Sequence, residues 1–107
     1  MKAVFSQFLG GNVELSTERF LHIQERHPGT LPDYELELQT TIANPDLIRQ
    51  SEKDTSAWLF SKWFTSIRNG RFLIVIIIAE ANPQRFWVVT AYTARKITGG
   101  ITAWKKP

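Results

Sequence analysis

Asn69-Gly70-Arg71-Phe72-Leu73-Ile74-Val75-Ile76-Ile77-Ile78-Ala79 is the stretch on which the fold turns. Asn-Gly is the strongest short hairpin signal, because both residues tolerate the positive φ that a two-residue type I′ turn requires. The nearly continuous apolar run behind it, Arg71–Ala79, marks a strand covered on both faces and therefore central in its sheet. Reading outward, the aromatic-rich Ala57–Thr65 is the preceding strand. Asn82-Pro83-Gln84 turns the chain into Arg85–Thr93, and Gly99-Gly100 precedes a short edge strand at Ile101–Trp104. Ile76 falls in the middle of the central strand, where truncation to Ala costs about 2–5 kcal/mol.

The first half of the chain reads differently. Ala3–Leu9 and Val13–Leu15 form a short strand pair around Gly10-Gly11-Asn12. Ser16 is a good N-cap with Glu18 in the first turn, and Leu15 and Phe20 are spaced to close a hydrophobic staple. A helix over Thr17–His27 is stopped by Pro28-Gly29. A second helix, Pro32–Ala43, follows from Leu31, Tyr34, Leu38 and Ile42, although Tyr34-Glu35-Leu36-Glu37-Leu38 also alternates as a strand would. A connector from Pro45 to Ser51 includes a short strand at Leu47–Arg49, and Gln50–Ser56 is a polar loop. The expectation is one α+β domain, N-terminal helices packed on a roughly four-stranded antiparallel sheet.

Composition narrows the function. The 107 residues contain no cysteine, which excludes a disulfide scaffold, a thiolate zinc site and a cysteine nucleophile, and fits a reducing, cytoplasmic setting. Lys2 is followed by too short an apolar run for a secretory signal, with Gly10-Gly11 interrupting it. Phe72–Ala79 is far short of the roughly 20 residues a spanning helix needs, so a soluble protein without a membrane partner is expected. Charge is strongly divided: residues 1–54 hold 5 Lys/Arg against 9 Asp/Glu, and residues 55–107 hold 8 against 1. Such asymmetry points to an anionic partner for the basic half, nucleic acid first among them, with Arg71, Arg85, Arg95 and Lys96 forming one continuous face.

Several residues carry chemistry. His22-Ile23-Gln24-Glu25-Arg26-His27 offers a base, an acid and a cation, with His22 and Arg26 on one helical face and His27 about 140° round from His22. The two imidazoles do not make a metal site, since their i,i+5 spacing lacks further ligands. Strand parity in Phe86–Thr93 sets Phe86, Val88, Thr90 and Tyr92 on one face and Trp87, Val89, Ala91 and Thr93 on the other. Arg49 and Ser51 follow Pro45-Asp46, and Lys62 lies between Phe60 and Phe64 on one strand face. The four Trp are mainly core material, and any exposed beside Arg or Lys could stack on unpaired bases. No phosphate loop, nucleophile elbow or dinucleotide fingerprint is present. Acid, base and cation groups suffice for RNA cleavage by its own 2′-OH, without a cofactor.

Three blocks together, His22-Ile23-x-x-Arg26-His27-Pro28, Asn44-Pro45-Asp46 leading to Arg49 and Ser51, and Thr90-Ala91-Tyr92 before Arg95-Lys96, resemble the barnase–EndoU–colicin–RelE-like nuclease domains, especially their phage-associated branch. The resemblance spans residues 20–96. It implies a barnase/RelE-like fold and a metal-independent endoribonuclease of toxin or mobile-element origin, with RNA as substrate and an antitoxin or immunity protein as a further partner. It also implies a site that gathers His22 or His27, Arg49, and Thr90 or Tyr92, with Lys62, Ser51, Arg95 and Lys96 holding substrate. The alternatives are a catalytically inactive RNA- or protein-binding module, and an interaction domain in which acidic helices meet the basic sheet of another copy.

Overall fold

The computed structural model describes residues 3–107, so Met1 and Lys2, the latter the start of the run weighed as a signal segment, lie outside the described residues. Nine elements follow in order: β1 (Ala3–Ser6), β2 (Gly11–Glu14), α1 (Thr17–Arg26), α2 (Glu35–Ala43), β3 (Leu47–Gln50), β4 (Ala57–Phe64), β5 (Arg71–Ala81), β6 (Gln84–Ala94) and β7 (Ile101–Lys105). Local signals act as anticipated at several of them. The Ser16 hydroxyl accepts the Arg19 N–H at 3.1 Å and caps α1. The turn after β4 has Arg68 and Asn69 both at positive φ, with the Gly70 N–H bonded to the Ile67 carbonyl at 2.7 Å. The pair at positive φ required by a type I′ turn is therefore Arg68-Asn69, one residue earlier than the Asn-Gly signal suggests. Helix α2 begins at Glu35 rather than Pro32, because residues 31–34 form a turn.

The sheet is not the expected one. Seven strands lie in the order β1-β2-β6-β5-β4-β3-β7, and β2 runs parallel to β6 while the other neighbours are antiparallel. The molecule is thus a mixed seven-stranded sheet with two helices, not helices on a four-stranded antiparallel sheet. The β4-β5-β6 meander is its centre, and the correction comes from the edges. The N-terminal hairpin joins the edge of β6, and the short β3 recruits β7 across from the other side. Pairing of four- and five-residue strands leaves no periodic signature, since partners are chosen by packing as much as by propensity.

Both helices lie over one face. Ile23 of α1 and Leu38 and Ile42 of α2 pack on Ile48, Phe60, Leu73, Val75, Ile77, Val88 and Ala91, all fully buried. The β1–β2 turn folds over the same face, where Phe8 meets Trp58 and Phe60 of β4 edge-on at ring distances of 5.4 and 6.3 Å. Central β5 buries Leu73, Val75 and Ile77 towards the helices, whereas Ile76 points to the opposite face and is half-buried.

That opposite face carries a different covering. Residues 95–100 take the chain from β6 to β7, past β5, β4 and β3, a lateral distance of four strand spacings or roughly 19 Å. Arg49, on the face opposite core Ile48, donates from Nη1 to the carbonyls of Thr98 and Gly99 at 2.6 and 2.7 Å. Gly100, at φ +74, passes so close that a Cβ would sit 3.1 Å from the Arg49 Cβ. The crossing segment is thereby tied down on the sheet.

Candidate active site

One irregularity decides which side chains of β6 share a face. Ile76 pairs with Thr90 but Ile77 pairs with Val88, leaving Val89 as a bulge whose carbonyl accepts the Arg19 Nε–H of α1 at 3.0 Å. Side-chain parity flips at a bulge. Phe86, Val88 and Ala91 therefore share the helix-covered face, while Trp87, Thr90 and Tyr92 share the other. The unbroken alternation expected from the sequence, with Val88 beside Thr90, is corrected by that single extra residue. Thr90 and Tyr92 remain together.

Helix α1 runs beside β6 and ends at His27, whose backbone N–H caps the Ile23 carbonyl at 2.9 Å. The His27 imidazole packs on the Tyr92 ring with centroids 5.5 Å apart and planes inclined by 34°. Burial lowers the His27 pKa below its ordinary 6.5, and the nearby charges of His22 and Arg26 lower it further. His22 is half-buried on α1 and reaches the pair only through this electrostatic influence.

Arg49 also meets Tyr92, but from beneath the crossing segment. It is 3% exposed. Burial pushes its pKa down, and Tyr92, close enough to interact electrostatically, opposes that shift. Both acceptors it serves through Nη1 are backbone carbonyls, and among the described residues its Nε is buried without a partner, as is the Thr90 hydroxyl. The expected direct phosphate contact by Arg49 is therefore corrected: its guanidinium is enclosed by the segment it anchors. Tyr92 is what links it to His27.

Two further expected ligands are occupied elsewhere. Lys62 donates to the Asn44 carbonyl at 2.9 Å and pairs with Asp46 at 3.2 Å, tying the start of β3 to β4. The Ser51 hydroxyl accepts the N–H groups of Lys53 and Asp54 at 3.3 Å and shapes the β3–β4 loop at the other end of the sheet. Arg95 and Lys96 are exposed just past β6, and neither forms an ion pair with a described residue.

Charge divides along the strands rather than by sheet face. Register puts Arg71, Arg95 and Lys96 at the end where β5 begins and β6 stops, with Lys105 at the matching end of β7. Arg68 belongs there too, its Nη2 lying 3.0 Å from where a Gly29 Cβ would be, beside His27 and Pro28. Arg85 is corrected out of the basic face. It sits at the opposite end of β6, roughly 33 Å away at about 3.3 Å per residue, where it lies 3.5 Å from Glu14 and 4.0 Å from Glu80. Arg68 was not anticipated at this end, because only its turn carries it there, whereas Arg26 arrives with the α1 terminus beside His27.

A cavity of about 320 Å³, lined by Phe8, Ile42, Pro45, Ile48 and Trp104 among others, lies on the helix-covered side and shares no residue with this cluster. Among the described residues no three His, Asp or Glu side chains gather closely enough to hold a metal ion. Neither helix is long and apolar enough to cross a membrane. Comparisons with protein-family models, with curated proteins and with solved structures find no match to this chain.

Proposed function

We propose that this domain is a metal-independent endoribonuclease working at the basic end of the sheet, a cytoplasmic role in which RNA is both partner and substrate. One observation carries the reading. His27 rests on Tyr92 at the end of the sheet that carries Arg26, Arg68, Arg95 and Lys96, where the carboxylate of Asp46 is already paired with Lys62. A pKa below 6.5 keeps the imidazole neutral at pH 7, the form that accepts a proton. His27 removes the proton from a ribose 2′-OH as that oxygen bonds to the adjacent phosphorus. The bond from phosphorus to the 5′-oxygen breaks, and the leaving oxygen takes a proton from the Tyr92 hydroxyl. The products are a 2′,3′-cyclic phosphate and a 5′-OH, with the arginines bearing the crowded charge on the phosphate.

Incubating EDTA-treated protein with structured and unstructured RNA, then analysing product ends, tests this. Cyclic phosphate ends are expected, and intact RNA would exclude the enzyme. A second reading, an RNA-binding module without catalysis, draws support from the enclosure of Arg49, which withdraws one cation from any phosphate. Salt-sensitive binding without product would select it. In both readings Arg95 and Lys96 meet phosphates. Replacing both by Ala is expected to reduce the slope of log affinity against log salt by about 1.4, at ~0.7 per lost single-strand contact. An unchanged slope in a filter-binding titration would remove these two residues from the interface.

A further inference from the structure

We infer that Trp63 is a stacking platform for an unpaired base, so that the RNA taken by the basic end is single-stranded; this rests on the RNA reading above. Trp63 is 43% exposed, whereas Trp58, Trp87 and Trp104 are half-buried. An indole left this open forfeits much of the burial that would justify it as core. Yet its position is held. Phe72, its partner across the β4–β5 ladder, meets it edge-on with centroids 4.9 Å apart and planes at 72°. Its backbone N–H is fastened to Asp46 Oδ2 at 3.0 Å. The six-membered ring rests against the backbone of Gly70, which lies at φ +113 and has no Cβ. A Cβ there would stand 2.7 Å from the indole Cζ2. Arg71 Nη1 in turn donates to the carbonyls of Arg68 and Gly70 at 3.1 and 2.7 Å, bracing the turn on which the ring sits.

The surroundings select the occupant. Register sets Trp63, Phe72 and Ala94 in one row, with Tyr92 one step away on the same face and Arg71 and Arg95 just past the row. The Cα atoms of Trp63 and Tyr92 are thus roughly 12 Å apart, two strand spacings and one step along the strand. Asp46, the carboxylate beside Trp63, is itself paired with Lys62 at 3.2 Å, and Arg71 and Arg95 form no ion pair with a described residue. A flat apolar surface beside such cations suits a molecule with flat apolar faces and a polyanionic backbone. Trp87 makes the contrast. It too stands beside a cation, Arg85 at 5.6 Å, but its Nε1 donates to Glu80, and Glu14 and Glu80 flank that cation. Carboxylates there would repel a phosphate chain. A duplex hides its base faces within its own stack, so only unpaired bases can use Trp63.

The test is a titration of labelled single-stranded oligouridylate and oligoadenylate, and of a duplex of matched length, in EDTA, with the full chain and its Trp63→Ala, Trp63→Tyr and Trp63→Leu variants. Trp63→Ala is expected to weaken single-strand binding about 5- to 150-fold while leaving duplex binding and the salt slope unchanged. Trp63→Tyr should restore most of the loss. Trp63→Leu, which keeps apolar contact with Phe72 but has no ring to stack on, should not. Quenching of intrinsic fluorescence by the single strand should shrink in every Trp63 variant. Wild-type binding that Trp63→Ala leaves intact, full rescue by Trp63→Leu, or equal loss on duplex and single strand would each overturn the platform. Absence of any RNA binding by the wild type would instead overturn the RNA reading on which it rests.

Discussion

Replacing His27 by Ala is expected to lower RNA cleavage by about 10²–10⁴-fold, the usual yield of a positioned acid or base. The fold should survive. The α1 cap is made by the His27 backbone N–H to the Ile23 carbonyl, which alanine keeps, and the imidazole is only half-buried. The same group sets the pH dependence. Because burial and the charges of His22 and Arg26 hold its pKa below 6.5, kcat/KM should be level near neutrality and fall with acid only below pH 6.5. That limb should disappear in His27→Ala. Stability follows the same sign. As pH drops through 6.5 the unfolded chain binds the proton first, so the contribution from neutral His27 is full above 6.5 and is lost as pH falls to the folded-state pKa. Initial rates across pH 5–8 for wild type, His27→Ala and His22→Ala check the assignment. A loss below 10-fold in His27→Ala, with the acid limb retained, would transfer the base role away from His27.

The second large effect concerns β5. Ile77→Ala is expected to cost about 2–5 kcal/mol in urea unfolding, whereas Ile76→Ala should cost less, although they are neighbours of identical chemistry. Ile77 is fully buried between Trp58 of β4 and Val88 of β6, on the face that both helices cover. Truncation there leaves a void that close packing cannot refill. Ile76 stands on the opposite face between Leu59 and Thr90, half-buried, so part of its lost volume opens to solvent. Equal losses at both positions would mean that the crossing segment shields the second face as fully as the helices shield the first.

These two residues illustrate what the chain states locally. An apolar run of this length announces that β5 is central, and the register confirms it as the fourth of seven strands. A run of isoleucines does not say which faces the helices, because every second one points each way. Likewise the His-block, the capping serine and the Thr-Ala-Tyr strand are legible as residues, and α1 and β6 occur near their expected bounds. The bulge at Val89 has no mark in its own segment. It is stabilised by Arg19, 70 residues earlier, and it decides that Thr90 and Tyr92 turn away from the helices.

The sequence by itself determined the meander, the approximate places of the turns that close it, the Ser16 cap of α1 and the concentration of cations after residue 54, because each depends on neighbours in the chain or on composition. Tertiary structure alone decided the seven-stranded order, with its parallel β2–β6 pairing and the passage of residues 95–100 from one side of the sheet to the other. It also decided the fates of like residues. Arg49 is enclosed under that passage, Arg85 is neutralised by Glu14 and Glu80, and Arg68 is carried to the His27 end by its turn. An arginine has the same charge wherever it falls in the chain. Whether that charge meets a carbonyl, a carboxylate or open solvent depends on partners tens of residues away, and only packing brings those together.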